Sequence, residues 1–248
     1  MDPGLLLAAA GLIFAGIVKG AVGFGLPMIA APVLAGYVGP RTAVVVMSIV
    51  NLVSAVLVAG RVRGVPLRGY LRLLGPIGLA TVGGIVIGAQ LLAVLPQALL
   101  SVLVGVVAML FAVLSAARVQ LKIRPERRGV VGSLIGLAAG LLGGTTSVLA
   151  TPIVMYFQAL GLPKRDFLVL LNVVLALSTL LQIVTYAGLG LFSGAILRSA
   201  FLTIACVGVG IGLGFVVQDR VNQRLFNKAV IAVIFLVGLS LVARTVIG

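Results

Sequence analysis

The sequence predicts an all-α integral membrane protein made of two repeats. Each repeat is a re-entrant or broken-helix hairpin followed by three transmembrane helices, with the second repeat inverted relative to the first. Three observations predict this. The 248-residue chain is 62% hydrophobic and 9% charged, with mean hydropathy +1.34, whereas soluble domains carry roughly 25% charged residues. Apolar runs of about 20 residues recur along nearly all of it, enough to cross a bilayer as helices. They are continuous rather than alternating, which speaks against a barrel. Finally, Gly16-x3-Gly20-x2-Gly23 with Pro32 recurs as Gly136-x3-Gly140-x2-Gly143 with Pro152, every matched pair 120 residues apart. Glycine- and proline-interrupted apolar segments at corresponding places in two halves mark the region where membrane carriers hold their cargo.

Taken in order, the apolar segments cover 5–38, 42–59, 70–89, 96–117, 130–160, 167–187, 195–217 and 225–247. The first is 34 residues long, roughly 50 Å as a helix against a hydrocarbon core of about 30 Å. Glycines and Pro27 lie near its middle, so two half-length helices meeting near Gly23-Phe24-Gly25 fit better than one straight rod. The second long stretch, 130–160, has the same character. Irregular backbone at membrane depth is tolerated only where protein buries it or it lines a cavity. The remaining six segments read as ordinary spans. The repeats divide the chain at 1–125 and 126–248. The opening Met1-Asp2-Pro3-Gly4 lacks the basic region of a cleavable signal peptide, so none is expected.

Formal net charge is +14, from 18 Lys and Arg against 4 Asp and Glu. The basic residues cluster in short connectors: Arg61, Arg63, Arg68 and Arg72; Arg118, Lys122, Arg124, Arg127 and Arg128; Arg220, Arg224 and Lys228. Such clusters set membrane orientation, and no aromatic–basic pattern of a nucleic-acid module accompanies them. If every long stretch crossed once, these connectors would fall on opposite sides. If both are hairpins, all three clusters and Lys164-Arg165 face the cytoplasm, while the uncharged loops near 90–95 and 188–194 face outside. An odd number of crossings then separates the hairpins, which inverts the second repeat. Arg41 is the one loop residue that runs against this. Two broken spans in a parallel repeat remain the competing arrangement.

No Asp, Glu or His lies at membrane depth: Asp2, Glu126, Asp166 and Asp219 sit at ends or loops. Intramembrane proteases, phosphatases and metal carriers need such groups, so no enzyme activity, metal or cofactor is expected. Cys206, alone in an apolar helix, reads as a small core residue. Lys19 is the one charge well inside a long apolar stretch, and a buried ammonium needs a partner. An anionic substrate would supply one; snorkelling or capping of helix carbonyls is the alternative. At the breaks, Gly20, Gly23 and Gly25, and Gly140, Gly143 and Gly144, would free backbone N–H groups for a negative ligand. Thr145, Thr146 and Ser147 would add hydroxyl donors. Asn51, with Ser48 and Ser54 on one helix face, and Asn172, followed by Ser178, Thr179 and Gln182, would face a polar path or else fix helix packing. Tyr37, Tyr156 and Tyr186 read as interfacial aromatics.

The run Gly16-Ile17-Val18-Lys19-Gly20-Ala21-Val22-Gly23-Phe24-Gly25 followed by Pro32 resembles the first signature of the TauE/SafE family of sulfite-exporter-like permeases. The echo from Gly136 to Pro152, the chain length and the basic central connector fit as well, so the resemblance covers essentially the whole chain. It implies a multi-pass carrier in a prokaryotic plasma membrane for sulfur-containing anions such as sulfite, sulfoacetate or related organosulfonates. In the second copy Gly144-Thr145-Thr146 stands where Gly-Phe-Gly would repeat the first, which leaves the substrate open within the family.

The expected function is therefore secondary transport of a small anion through the bilayer. Lys19, Gly20, Gly23, Phe24, Gly25, Asn51, Gly143, Gly144, Thr145, Thr146, Ser147 and Asn172 are the substrate-contacting candidates, and one repeat would rock against the other. A channel-like anion facilitator, or a carrier of another small organic anion, is the alternative.

Overall fold

The computed structural model describes residues 3–61, 67–116, 123–217 and 223–247. Among them every regular element is helical. The long helices are α1 (Pro3–Val22), α2 (Leu26–Val38), α3 (Pro40–Arg61), α4 (Leu71–Val94), α5 (Gln97–Ala116), α6 (Arg128–Thr146), α7 (Ala150–Ala159), α8 (Lys164–Gly188), α9 (Gly194–Val217) and α10 (Gln223–Ile247). Among the described residues six helices, α3 to α6, α8 and α9, are long and apolar enough to cross a bilayer. Large apolar side chains such as Leu79, Leu177 and Phe201 stand exposed on them, as a lipid-facing surface allows. Arg63, Arg118, Lys122, Asp219 and Arg220 lie outside the described residues.

Both long apolar stretches break, but not into equal halves. In the first, α1 has 20 residues and α2 has 13; in the second, α6 has 19 and α7 has 10. The second arms, about 20 and 15 Å long, fall short of the ~30 Å hydrocarbon core. Each fold returns along its first arm. A methyl placed on Gly11, far up α1, would stand 3.2 Å from the Val33 side chain of α2. The Tyr156 hydroxyl of α7 donates to the Arg128 carbonyl at the start of α6, at 3.1 Å. A second difference concerns α4, which runs to Val94 rather than 89. Gln90 to Val94 contain no helix breaker, and Pro96 is the first stop signal.

The helices gather into two compact units, each drawing on both halves of the sequence. One holds α1, α2, α5, α9 and α10 with α3 up to Val50; the other holds α4, α6, α7 and α8 with α3 from Asn51 onward. In the first unit α1 packs on α9. A methyl on Gly16 would lie 2.4 Å from the Val207 carbonyl oxygen, and one on Gly20 would lie 2.5 Å from that of Ile211. From the other side, Gly210 and Gly214 meet the Ile13 and Ile17 carbonyls. The paired positions rise together, so α1 and α9 run parallel. In the same unit Gly105 of α5 meets Val242 of α10 while Gly238 meets Met109, so these two helices run antiparallel.

The second unit repeats the device. A methyl on Gly140 would lie 2.3 Å from the Thr81 carbonyl oxygen, and Gly136, Gly144, Gly84 and Gly88 are equally tight across the α4–α6 seam, which is also parallel. Gly84-x3-Gly88 and Gly210-x3-Gly214 thus form a further duplicated motif, 126 residues apart. Each glycine-rich first arm packs on the fourth helix of the other half. Helices in lipid gain little from apolar burial against one another, so close approach through small residues supplies the contact.

This corrects the expected place of several glycines. Gly20, Gly140, Gly143 and Gly144 remain inside helices, because unpaired backbone in hydrocarbon is costly; only Gly23 and Gly25 stand in a break. Tyr156 and Tyr186 are buried within the protein, whereas Tyr37 is half exposed. Arg41 finds a structural role: its guanidinium donates to the Leu95 carbonyl at 2.8 Å and its backbone N–H to the Gln97 side-chain oxygen at 3.3 Å. These bonds tie the start of α3 to the connector at residues 95–97. The Tyr70 hydroxyl donates to Asp166 at 2.5 Å, joining the starts of α4 and α8.

The seams give a paired stability test. Gly140→Ala drives a methyl into backbone, and overpacking of this kind costs about 1–3 kcal/mol. Gly78 has open space around it, so Gly78→Ala should stay within about 0.5 kcal/mol. Thermal unfolding in nanodiscs should separate the two by a clear drop in midpoint for Gly140→Ala alone.

Candidate functional site

The first break is built from backbone. Gly23 and Gly25 hold φ of 90° and 96°, a region that side chains with a Cβ rarely enter. The Gly23 N–H closes α1 on the Lys19 carbonyl at 2.8 Å, and the Met28 N–H reaches Gly25 at 3.2 Å as α2 begins. Pro27 sits in the first turn of α2, where its missing N–H matters least. Phe24 is half-buried between the two glycines. Lys19 lies in the last turn of α1 and is only 3% exposed. A cation there complements the negative end of the helix dipole, so its place suits either an anion or the α1 carbonyls. Gly20 belongs to the α9 seam rather than to the break.

The second break is built differently. It covers residues 147–149, after α6 ends at Thr146. Ser147 stands at φ 62°, left-handed for a residue with a side chain, and its N–H closes on the Gly143 carbonyl at 2.8 Å. The Leu149 N–H meets the Ser147 carbonyl at 3.1 Å. Thr145 and Thr146 stand in the last turn of α6. The Thr146 hydroxyl donates to the Leu142 carbonyl at 2.7 Å and accepts from the Val148 N–H at 3.4 Å. The Thr145 hydroxyl divides its proton between Leu141 and Leu142, at 2.9 and 3.2 Å. To donate to an anion, either must give up a bond worth roughly 0.5–1.5 kcal/mol. At rest they offer acceptor lone pairs.

The asparagines differ in setting. Asn172 is fully buried in α8, its amide donating to the Leu168 carbonyl at 2.9 Å. Asn51 is half-buried, at the residue where α3 passes from one unit to the other. Its neighbours Ser48 and Ser54 are buried with hydroxyls bonded to carbonyls one turn back. Gly23, Phe24 and Gly25 thus gather with Lys19 in one unit, and Gly143 to Ser147 gather in the other.

Sequence reasoning missed one element of the second break. Gln182 and Tyr186 of α8 bond the carbonyls of Gly143 and Gly144. The signal was present: Ser178 with Thr179, then Gln182 and Tyr186, follow at three- or four-residue steps, a polar stripe along one helix face.

Ser147 gives a direct test of the strained turn. Glycine accepts its φ freely, while a β-branched side chain does not, and a left-handed residue with a Cβ costs roughly 1–2 kcal/mol. Ser147→Val should therefore unfold at a lower temperature than Ser147→Gly, a comparison that differential scanning calorimetry can read.

The comparisons with known proteins agree with this architecture. Residues 7–241 match the family described as Sulfite exporter TauE/SafE. No curated protein and no solved structure matches the chain. The match spans nearly all of the chain, and it joins the apolar helices to a family of membrane transporters for sulfite and sulfur anions rather than enzymes. The chain belongs to the sulfite exporter TauE/SafE family.

Proposed function

We propose that this protein is a secondary transporter that carries sulfite or an organosulfonate such as sulfoacetate across a prokaryotic plasma membrane. The observation that carries the proposal is the pair of backbone breaks, set into otherwise continuous apolar helices. A helix broken in hydrocarbon gives up backbone pairing, and membrane proteins keep such breaks where a substrate path uses them. In the first unit Lys19, Gly23, Phe24 and Gly25 are the contacting groups. The positive charge and the short side-chain-free turn suit a compact oxyanion. In the second, Ser147 and the Thr145 and Thr146 hydroxyls tune selectivity, while Gly143 and Gly144 stay in the last turn of α6 and the Gly143 carbonyl anchors the turn through the Ser147 N–H. Asn51 and Asn172 line the polar path.

The inverted two-repeat reading, divided near residue 125, has support from helix directions. Both breaks fold the chain back. The starts of α4 and α8 are joined by Tyr70 and Asp166, which strict alternation of single crossings would place apart. α5 and α10 run antiparallel, as equivalent third spans of inverted repeats should. The basic connectors then face the cytoplasm. Because the glycine seams tie α1 to α9 and α4 to α6, alternating access moves those pairs as bodies rather than one sequence half against the other.

The test is anion flux into proteoliposomes, comparing sulfite, sulfate, sulfoacetate, taurine and lactate. Saturable uptake of sulfite or a sulfonate, stimulated by the same anion on the far side, is expected. Lys19→Ala should lower its efficiency by about tenfold, the loss of one charge-assisted contact. Sulfur-anion flux no greater than in empty liposomes would refute the transporter. Ohmic, non-saturating currents would make it a channel. Full activity in Lys19→Ala would return Lys19 to the α1 carbonyls.

A further inference from the structure

Gln182 and Tyr186 are 1% and 0% exposed and stand one turn apart on the same face of α8. The Gln182 amide nitrogen donates to the Gly143 carbonyl at 2.7 Å and to the Tyr186 hydroxyl oxygen at 2.6 Å. The Tyr186 hydroxyl passes its single proton to the Gly144 carbonyl at 2.7 Å. Both amide hydrogens of Gln182 and the tyrosine proton are thereby committed. The acceptors belong to the last turn of α6, where the Val148 N–H that would continue the helix onto the Gly144 carbonyl turns instead to the Thr146 hydroxyl. The Gly143 oxygen also takes the N–H of Ser147, the residue held at φ 62°. One oxygen thus joins the α8 amide to the strained turn that leads into α7.

We propose that Gln182 and Tyr186 are positioning residues that clasp the end of α6 and hold the second break, residues 147–149, in one geometry for the anion. The proposal rests on the reading of that break as an anion-contacting element. A fully satisfied buried network rigidifies what it binds. The clasp is needed because this break turns on a serine, while α6 is fixed on its far side by the α4 seam at Gly144. The first break turns on two glycines and has the freedom glycine gives. The two breaks therefore differ in kind: the first has the freedom of glycine, and the second presents a fixed surface that ranks one anion against another.

The experiment uses the full-length protein in nanodiscs and proteoliposomes, with Tyr186→Phe, which removes only the hydroxyl, and Gln182→Met, which removes both donors at similar volume. Backbone hydrogen exchange over 147–151 should be slower than over 23–26 in the wild type. It should quicken by about tenfold in both variants, since each loses its one hydrogen bond to an α6 carbonyl along with the bond between the two side chains. The half-saturating sulfite concentration should rise with it while maximal flux is largely kept, and the preference for sulfite over sulfate should narrow. Wild-type exchange as fast at the second break as at the first overturns the clasp without any variant. Unchanged exchange in both variants overturns it too. Faster exchange with unchanged half-saturation and unchanged preference overturns its role in transport. A wild-type protein that moves no sulfur anion refutes the transporter reading and the positioning role with it, whereas wild-type transport with unaltered variants refutes the positioning role alone.

Discussion

The structure depends on backbone pressed against backbone. At the α1–α9 and α4–α6 seams, glycines face carbonyl oxygens so closely that a single methyl would collide with them. In water, such seams would be a minor addition to an apolar core. In a bilayer, lipid is as apolar as leucine, and helix association draws instead on tight packing and on hydrogen bonds. The many exposed leucines and valines need no cover there. The polar groups that are buried find backbone carbonyls instead: Ser48, Thr81, Thr179 and Thr203 all donate to the turn before them.

Those seams leave the breaks as the exceptional places. Within the two long apolar stretches the described residues on either side of each break are helical. At residues 23–25 and 147–149 the chain does not continue the helix, and the two interruptions are made by different means. The first uses glycine conformations beside a buried lysine. The second uses a serine in a left-handed conformation, secured by hydrogen bonds from α8. In the proposed function each break, taken within its own unit, offers an anion a different kind of backbone setting.

Much of this was legible in the sequence. The apolar segments located the helices, since continuous runs bounded by Gly, Pro and Arg leave few choices. Gly23-Phe24-Gly25 located the first break, because no other cluster in that run can turn without cost. Other features were hidden for physical reasons. Glycine serves both a break and a seam, and Gly140 and Gly144 could not be assigned to the seam without knowing that Thr81 and Ile85 lie opposite. The second break was expected at a Thr145-Thr146-Ser147 tip, but Ser147 could not be singled out as its turn residue because neither a glycine nor a proline stands there. Tyr186 gave no sign of its burial, because its partners, the Gly143–Gly144 end of α6 and Gln182, come together only in the fold. The division into units interlaces the sequence halves, since each first arm packs on the other half's fourth helix, a contact more than a hundred residues distant in α1 and α9. Lys19 and Arg41 looked anomalous as isolated charges; Lys19 stands in the last turn of α1, which the helix dipole favours, and Arg41 is held by the Leu95 carbonyl.

The central claim is that each break returns the chain to the side from which it came. Side-specific labelling tests this most directly. Single cysteines at Arg127, Lys164 and Leu189, in a Cys206→Ala background, would be exposed to a membrane-impermeant maleimide in sealed vesicles of known orientation. The account predicts that Arg127→Cys and Lys164→Cys label from the same face and Leu189→Cys from the opposite one. Labelling of Arg127→Cys and Lys164→Cys from opposite faces would make the second stretch a crossing and contradict the account.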